Sequence, residues 1–355
     1  MNTRDIDKTF SIRSEVGDLN KTKNNVTIKQ IAEQAGVSIG TVSRIINHQN
    51  VGYSQETYDK VMEIINKSGY VPNRIARSMV TKKSYMIGYM VDDLANPFFP
   101  ETARGIEEVA GKAGYNLILC ESGKTVEQTR KQLRSLYETG VDGIIAGSYI
   151  LNQVNLDFLM KNRMPFVIMD ANMSETYFNN ISIDNYNGAR QMVEYLVSCG
   201  HKKIACITGI KDGESSTLRL NGYKSVMAEN GFDWDGLIAE GDFTVQGGID
   251  AVASLEEKNF TAIFALNDLM AIGAGNYLQK KGYRIPDDIS IAGFDDIQMS
   301  SYVYPPLTTV HQPLFEMGQE AAKMLLETAE AGTMGMTRSK KYELSLVTRK
   351  SVRRI

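Results

Sequence analysis

Cysteine, histidine, tryptophan and long apolar runs are all scarce in this chain. Its 355 residues include three cysteines, three histidines, eight prolines and one tryptophan. The cysteines, Cys120, Cys199 and Cys206, lie in apolar runs, which indicates buried thiols in a reducing compartment and not a disulfide framework. No apolar run approaches the roughly 18–20 residues that cross a bilayer. The polar N-terminus also lacks the apolar segment of a secretory signal. We therefore expect a cytoplasmic protein with no membrane partner.

Motifs of catalysis are absent as well. The sequence contains no phosphate-binding G-x-x-x-x-G-K-[ST], no G-x-S-x-G, no H-E-x-x-H and no C-x-x-C. His48, His201 and His311 are too far apart in the sequence to suggest a metal cluster. We therefore expect no catalytic residue, no metal and no cofactor.

The charge is distributed unevenly, although the net charge is only -3. Residues 21–84 carry ten Lys or Arg and four Asp or Glu, a net charge of +6, whereas residues 85–355 carry -8. A basic head on an acidic body is typical of a tethered nucleic-acid-binding module. The alternative is a fluctuation of solvated surface charge.

Residues 26–70 have the pattern of three short helices. Thr27 and Gln30 form a T-x-x-Q capping box at the start of the first helix, and Gly36 ends it. Ser38 and Ser54 are suitable N-caps for the second and third helices. Two helices joined by a tight glycine-containing turn form a helix-turn-helix, whose second helix enters the major groove of DNA. The alternative is three small helices that pack together without a ligand.

The start of the second helix would then face the bases. Ile39 offers apolar contact and Gly40 allows close approach of the backbone. Arg44 can make a forked contact with guanine, while Thr41 and Ser43 can reach phosphates.

The segment VTIKQIAEQAGVSIGTVSRIIN, residues 26–47, resembles the headpiece of the LacI/GalR transcription regulators nearly position for position. Residues 53–80 resemble the third helix and hinge of the same family. In that family two hinge helices pair in the minor groove, and a leucine wedges between base pairs. Met79 stands at that position here, and methionine is also a known wedge. The DNA-binding residues so predicted are Thr27, Ser38, Ile39, Gly40, Thr41, Ser43, Arg44, Asn47, Asn73, Ala76, Arg77 and Met79.

The hinge is predicted over residues 71–83. Pro72 stops the third helix, and residues 73–80 have the pattern of about two helical turns. A helix this short is marginal alone because its nucleation is costly. We expect it to fold only against a partner and DNA, and the alternative is a plain linker. Residues 1–25 match nothing and are predicted to be a flexible tail.

From residue 84 the pattern changes to alternating strands and helices. Apolar runs such as Met86–Val91, Phe166–Met169 and Ile204–Ile207 alternate with amphipathic helices, which predicts parallel sheets with helices on both faces. About 270 residues exceed one core, so two lobes are expected. The predicted fold is an all-α helix-turn-helix headpiece followed by an α/β two-lobed domain with doubly wound parallel sheets.

Polar residues follow several of the predicted strands, where open parallel sheets bind ligands. They are Asp92, Ser148, Asp170, Asn267 and Asp295. Arg219 opens a helix and can project into the same cleft. Carboxylates, an amide and a guanidinium beside aromatic rings suit a polyhydroxylated ligand. Taken singly, each of these residues could instead be an ordinary loop cap or turn residue.

The body resembles the periplasmic-binding-protein-like core of the same LacI/GalR family over residues 84–350. The matching segments include ANPFF at 95–99, STLRLNGY at 216–223 and IAGFDDI at 291–297. The resemblance implies lobes at about 84–184 with 312–340, and 185–311 with 341–355. It also implies effector contacts at Asp92, Phe98, Phe99, Ser148, Asp170, Arg219, Phe243, Asn267, Asp295 and Gln312.

The sequence thus predicts a cytoplasmic, nucleoid-associated transcriptional regulator, and we expect it to be a repressor. Its partners would be a pseudo-palindromic double-stranded operator, a small effector of carbohydrate type and a second copy in a homodimer. The chain ends soon after its last predicted strand, with no heptad tail for tetramers. The alternatives are a sugar-binding carrier with the same body fold, and an enzyme of doubly wound fold that uses Asp170 and Asp295 as an acid–base pair.

Overall fold

The computed structural model describes residues 26–47, 49, 51–71, 78, 81–123, 125–147, 150–170, 178–211, 213–255, 258–331 and 337–355. The chain divides into two compact units, Met1–Lys82 and Lys83–Ile355. Within the described ranges no helix is long and apolar enough to span a membrane. The same ranges contain no cluster of His, Cys, Asp and Glu arranged to hold a metal ion.

Three helices form the described part of the first unit: α1 (Ile28–Ala35), α2 (Ile39–Ile46) and α3 (Gln55–Ser68). Thr27 and Gln30 make the reciprocal capping box at the start of α1. Gly36 ends α1 in the left-handed conformation at φ 72°, which glycine adopts without a steric cost. A small core of Ile31, Ala32, Ala35, Val42, Ile45 and Val61 holds the three helices together. The predicted helix-turn-helix is therefore present.

The second unit alternates strands and helices as predicted. In chain order it contains β1 (Met86–Val91), α4 (Phe98–Lys112), β2 (Asn116–Glu121), α5 (Val126–Thr139), β3 (Ile144–Gly147), α6 (Gln153–Lys161), β4 (Phe166–Met169), β5 (Asn179–Ile183), α7 (Asn185–Ser198), β6 (Ile204–Thr208), α8 (Glu214–Glu229), β7 (Ile238–Glu240), α9 (Val245–Ser254), β8 (Ala262–Ala265), α10 (Asp268–Lys280), β9 (Ser290–Ala292), β10 (Thr309–His311), α11 (Leu314–Ala331), β11 (Ser339–Tyr342) and β12 (Ser345–Val347). A 3₁₀ turn, Gln298–Ser301, follows β9.

Two parallel sheets define two lobes. The first sheet has six strands in the order β11-β5-β4-β3-β1-β2, and the second has four in the order β7-β6-β8-β9. β10 and β12 form a separate antiparallel pair. Helices α4 and α11 pack closely in the first lobe, as do α7 with α8 and α9 with α10 in the second. This is the doubly wound α/β architecture that the sequence predicts.

The chain passes between the lobes three times. β5 ends at Ile183 in the first sheet, and α7 begins at Asn185 in the second lobe. The segment after β10 leads to α11 on the first lobe, and the chain returns between β11 and β12. Five strands were not among the predicted ones: the polar strands β5 and β11 and the short strands β7, β10 and β12.

Some predictions fall outside the described residues. The hinge residues Asn73, Ala76, Arg77 and Met79 are among them, and so are Ser148 and the N-terminal residues 1–25.

Candidate functional site

The start of α2 presents an exposed surface on the first unit. Ser38 and Gly40 are exposed, and the apolar Ile39 keeps 47% of its surface accessible. The Ser38 hydroxyl accepts a hydrogen bond from the Thr41 backbone N–H at 3.0 Å, which fixes the first turn. A rigid helix end with an exposed isoleucine has the geometry needed to enter a groove of DNA.

Among the other predicted contacts of the first unit, Thr27 is exposed, whereas Thr41, Ser43, Arg44 and Asn47 are partly buried. The Arg44 Nε donates to the carbonyl of Gly40 at 3.2 Å, and its Nη1 donates to the carbonyl of Val51 at 3.4 Å. Asn47 ends α2 and donates to the Ser43 carbonyl at 2.8 Å. Arg44 is thus held along its helix, close to the exposed end.

A cavity of about 290 Å³ lies at the carboxyl ends of the strands in the second unit. Its volume is close to the lower end of the range for small-molecule sites. Strands of both sheets contribute, because the residues after β1, β4, β7 and β8 all reach it. Eight of the ten predicted effector residues line it: Asp92, Phe98, Phe99, Asp170, Arg219, Phe243, Asn267 and Asp295.

Arg219 forms the buried floor of the cavity. Its Nε donates to Asn185 Oδ1 at 2.7 Å, and its Nη1 donates to the carbonyl of Leu266 at 2.6 Å. The same Nη1 lies 3.5 Å from Asp295 Oδ1, and the guanidinium stacks 3.8 Å from the centroid of the Phe294 ring. Nη2 makes no hydrogen bond to any residue that the structure describes, so it can donate to a ligand.

Three carboxyl groups surround Arg219 and share a low-dielectric site. Burial raises the pKa of Asp295 well above its ordinary value, and Asp268 adds to this while Arg219 opposes it. Burial also raises the pKa of Asp170, against the opposing effects of Arg219 and Asn185. Burial raises the pKa of Asp268 to about 6, although hydrogen bonds from Ser300, Thr309 and the Ile297 N–H oppose the shift. One buried cation therefore serves several buried acids.

Three cavity residues have backbone conformations that are rare outside glycine. Asp170 has φ 59°, Phe243 has φ 66° and Asp295 has φ 125°. The Phe243 ring packs directly on the backbone of Gly209, where an added Cβ would lie 2.0 Å from the ring. Phe98 and Phe99 meet edge to face with their centroids 5.1 Å apart. Such strain is found where a fold holds side chains for function.

Gln312 is not among the residues that line the cavity. It is 2% exposed and lies behind the cavity wall, where its Nε2 donates to Asp295 Oδ1 at 2.6 Å. It therefore positions Asp295 and does not line the cavity. Asn185 was missed, although it joins Asp170 and Arg219 by hydrogen bonds of 2.9 and 2.7 Å. Asn185 is the first residue of the predicted second lobe, and this position was the available signal.

Acids of the second lobe hold β10 and Gln312, which lead into the crossing to the first lobe. Thr309 donates to Asp268 Oδ1 at 2.5 Å. His311 Nδ1 lies 2.9 Å from Asp296 Oδ2, and hydrogen bonding to Asp296 raises the pKa of His311. Gln312 bonds to Asp295, which faces the cavity. The cavity and the crossing segment thus share one polar network.

Comparison with known proteins covers both units. A family model described as "Bacterial regulatory proteins, lacI family" matches residues 27–73. A second model, described as "Periplasmic binding protein-like domain", matches residues 193–352.

Relatives of known name and structure match most of the chain. The HTH-type transcriptional repressor PurR of Vibrio atlanticus (strain LGP32) is 37% identical over 306 residues, which are 85% of this chain and 91% of that protein. The lac repressor dimer bound to operator and the anti-inducer ONPF is similar with a TM-score of 0.81 and 30% identity, over 92% of this chain and 99% of that one. The complex of the transcriptional regulator CelR with cellobiose has a TM-score of 0.69 and 29% identity over the same shares.

Proposed function

This chain belongs to the LacI family of bacterial regulatory proteins, and from that premise we propose that its operator affinity is switched by a small polyhydroxylated effector. As a member of that family it is a DNA-binding transcriptional repressor with an effector-binding domain, and not an enzyme. The finer parts of the proposal are the chemical class of the effector, the residues that contact it and the DNA, and assembly as a homodimer.

One observation carries the effector class: Arg219 lies between acceptors at the bottom of a cavity that has aromatic walls. A sugar presents neighbouring hydroxyls that can donate to Asp295 and Asp170 while they accept from Arg219 Nη2. Phe98 and Phe243 can cover the apolar face of its ring. The cellobiose complex of a relative with 29% identity adds support, whereas the similarity to a repressor named PurR makes purine bases the second candidate class.

The DNA-binding part of the proposal assigns the base contacts to the exposed start of α2. Ser38, Ile39 and Gly40 form its tip, with Arg44 one turn further along. We infer that the Arg44 guanidinium exchanges its bond to the Val51 carbonyl for guanine. The hinge contacts of Asn73, Ala76, Arg77 and Met79 are carried over from the family resemblance.

Exposed apolar surface on the second lobe supports a homodimer. Tyr302 and Tyr304 keep 73% and 87% of their surface exposed beside Met299. They lie near a second cavity of about 310 Å³ whose wall includes Ile272 and Val303. Exposed aromatic groups at one place mark protein interfaces. A dimer with twofold symmetry implies a pseudo-palindromic operator.

The proposed switch is a linkage between two equilibria. An effector that bonds to Asp295 also acts on Gln312, and through it on the segment that connects the lobes. We propose that the resulting lobe movement alters hinge pairing and so the affinity for DNA. Linkage requires DNA and effector to change each other's affinity by the same factor.

Arg44→Lys tests the DNA-binding assignment, because it keeps the charge and removes the planar fork. An operator is first selected from random duplexes with the full chain. We then expect Arg44→Lys to weaken operator binding about 10- to 100-fold and to leave nonspecific binding nearly unchanged. An equal loss on both duplexes would contradict base contact by Arg44. Repeating the wild-type titration with neutral sugars and with purine bases tests the effector class.

A further inference from the structure

The cavity wall has a strong excess of negative charge. Among the lining residues that the structure describes, the acidic ones are Asp92, Asp93, Asp170, Glu214, Asp242 and Asp295. The basic ones are Lys211 and Arg219, so the acids exceed the bases by four. An anionic ligand would therefore meet more acidic than basic side chains.

The buried cation is already engaged. Arg219 directs Nε to Asn185 and Nη1 to Leu266, and its charge faces Asp295 at 3.5 Å. A phosphate brought to Arg219 would therefore also approach Asp295. Placing two like charges together in a poorly solvated site costs binding affinity.

Helix N-termini at the cavity would ordinarily attract anions. At three of them, however, a side-chain oxygen of the chain itself accepts a hydrogen bond from a backbone N–H. At α10, Asn267 Oδ1 accepts from the Met270 N–H at 2.9 Å. At α9, Thr244 Oγ1 accepts from the Gly247 N–H at 3.0 Å. At α4, Asn96 Oδ1 accepts from the Phe98 N–H at 3.1 Å. At each of these helix ends one backbone N–H is thus already bonded within the chain.

We propose that the cavity binds an uncharged polyol and rejects its phosphorylated form. This inference rests on the proposed sugar effector and narrows its class. Hydroxyl groups donate to carboxylates without bringing charge, and each of the acids Asp92, Asp170 and Asp295 has its Oδ1 held in place by a neighbouring side chain. The fixed acceptors are thus arranged before the ligand arrives.

The N-terminus of α8 is the part of the cavity best suited to bind a phosphate. Gly213 supplies no side-chain cap, and Lys211 lies beside it in the cavity wall. A phosphate would find backbone N–H groups and a cation there, opposed by Glu214 in the first turn. Variants at Lys211 and Glu214 therefore test the inference most directly.

The experiment is calorimetric titration of the full chain with matched pairs: glucose and glucose 6-phosphate, ribose and ribose 5-phosphate, trehalose and trehalose 6-phosphate. Hypoxanthine serves as the non-sugar probe. We expect a neutral sugar to bind and its phosphorylated partner to bind at least about 100-fold more weakly. We further expect Glu214→Gln to narrow that gap several-fold, because it removes the acid nearest the uncapped helix end.

The outcomes separate this inference from the proposed function. A phosphorylated sugar that binds as tightly as its neutral partner overturns the inference and leaves a sugar effector standing. Binding of hypoxanthine alone overturns the sugar effector itself.

If no organic probe binds, thermal melting with inorganic phosphate tests whether the cavity excludes phosphate. Stabilisation by phosphate that disappears in Lys211→Gln overturns the inference. No stabilisation by phosphate supports the exclusion of phosphorylated ligands.

Discussion

Replacing Arg219 by glutamine should destabilise the second lobe in a way that depends on pH. The change leaves Asp295 and Asp170 without their buried cation, and removing one partner of a buried ion pair costs about 3–5 kcal/mol. For a domain of this size a loss of about 3 kcal/mol corresponds to a fall of roughly 5 °C in Tm. Both carboxyl pKa values are already raised and rise further without Arg219. Protonation then relieves the penalty, so the loss of stability is larger at pH 7.5 than at pH 5.

Trp234, the only tryptophan, lies in the second lobe and reports its unfolding by fluorescence. We expect Arg219→Gln and Asp295→Asn to be non-additive, with the double variant about 2 kcal/mol more stable than the sum of the two losses predicts. The control is Arg284→Gln, whose ion pair with Asp288 is solvent-exposed and should contribute much less to stability than a buried pair. Additive losses at both pH values, or an Arg219→Gln effect no larger than the control, would refute the reasoning.

Two further predictions concern stability. Gly318→Ala should lower the free energy of unfolding by about 1–3 kcal/mol, because the added Cβ would lie 2.1 Å from the Thr102 carbonyl oxygen between α4 and α11. Gly111→Ala is the control, because no neighbour lies within 4 Å, and it should be neutral or slightly stabilising. Circular dichroism melting measures both variants, and equal effects would contradict this packing. Because the folded pKa of Asp268 is raised to about 6 from the ordinary 3.8, its contribution to stability falls as pH rises from about 4 to about 6. Asp268→Asn should flatten the Trp234 unfolding profile over that window by up to about 3 kcal/mol, and an unchanged pH profile would rule the assignment out.

The polar network around the cavity gives the proposed switch a physical basis. Asp295 faces the cavity, accepts from Gln312 and lies beside Asp296, which holds His311. A ligand that competes for Asp295 therefore acts on the segment linking the lobes without needing a distant contact. In the proposed switch, the same carboxyl groups select an uncharged ligand and pass on the response to it.

The sequence alone determined the local structure of the first unit and the edge where the cavity forms. The caps at Thr27 and Ser38 and the turn at Gly36 depend on residues within a few positions of each other. They can therefore be predicted from the local sequence. Asp92, Asp170 and Asn267 could be predicted because a polar residue directly follows an apolar strand. The charge division between head and body was likewise readable from residue counts.

Only the tertiary structure decided which groups meet. β5 and β11 are polar strands whose pairing depends on partners more than 150 residues apart, so no local pattern marks them. Gln312 bonds to Asp295, and Asn185 bridges Asp170 and Arg219. These partners are far apart in the sequence, so only the folded structure shows that they meet. The charge of the cavity, and with it the kind of effector we propose, follows from the convergence of separate loops and could not be obtained from any one segment.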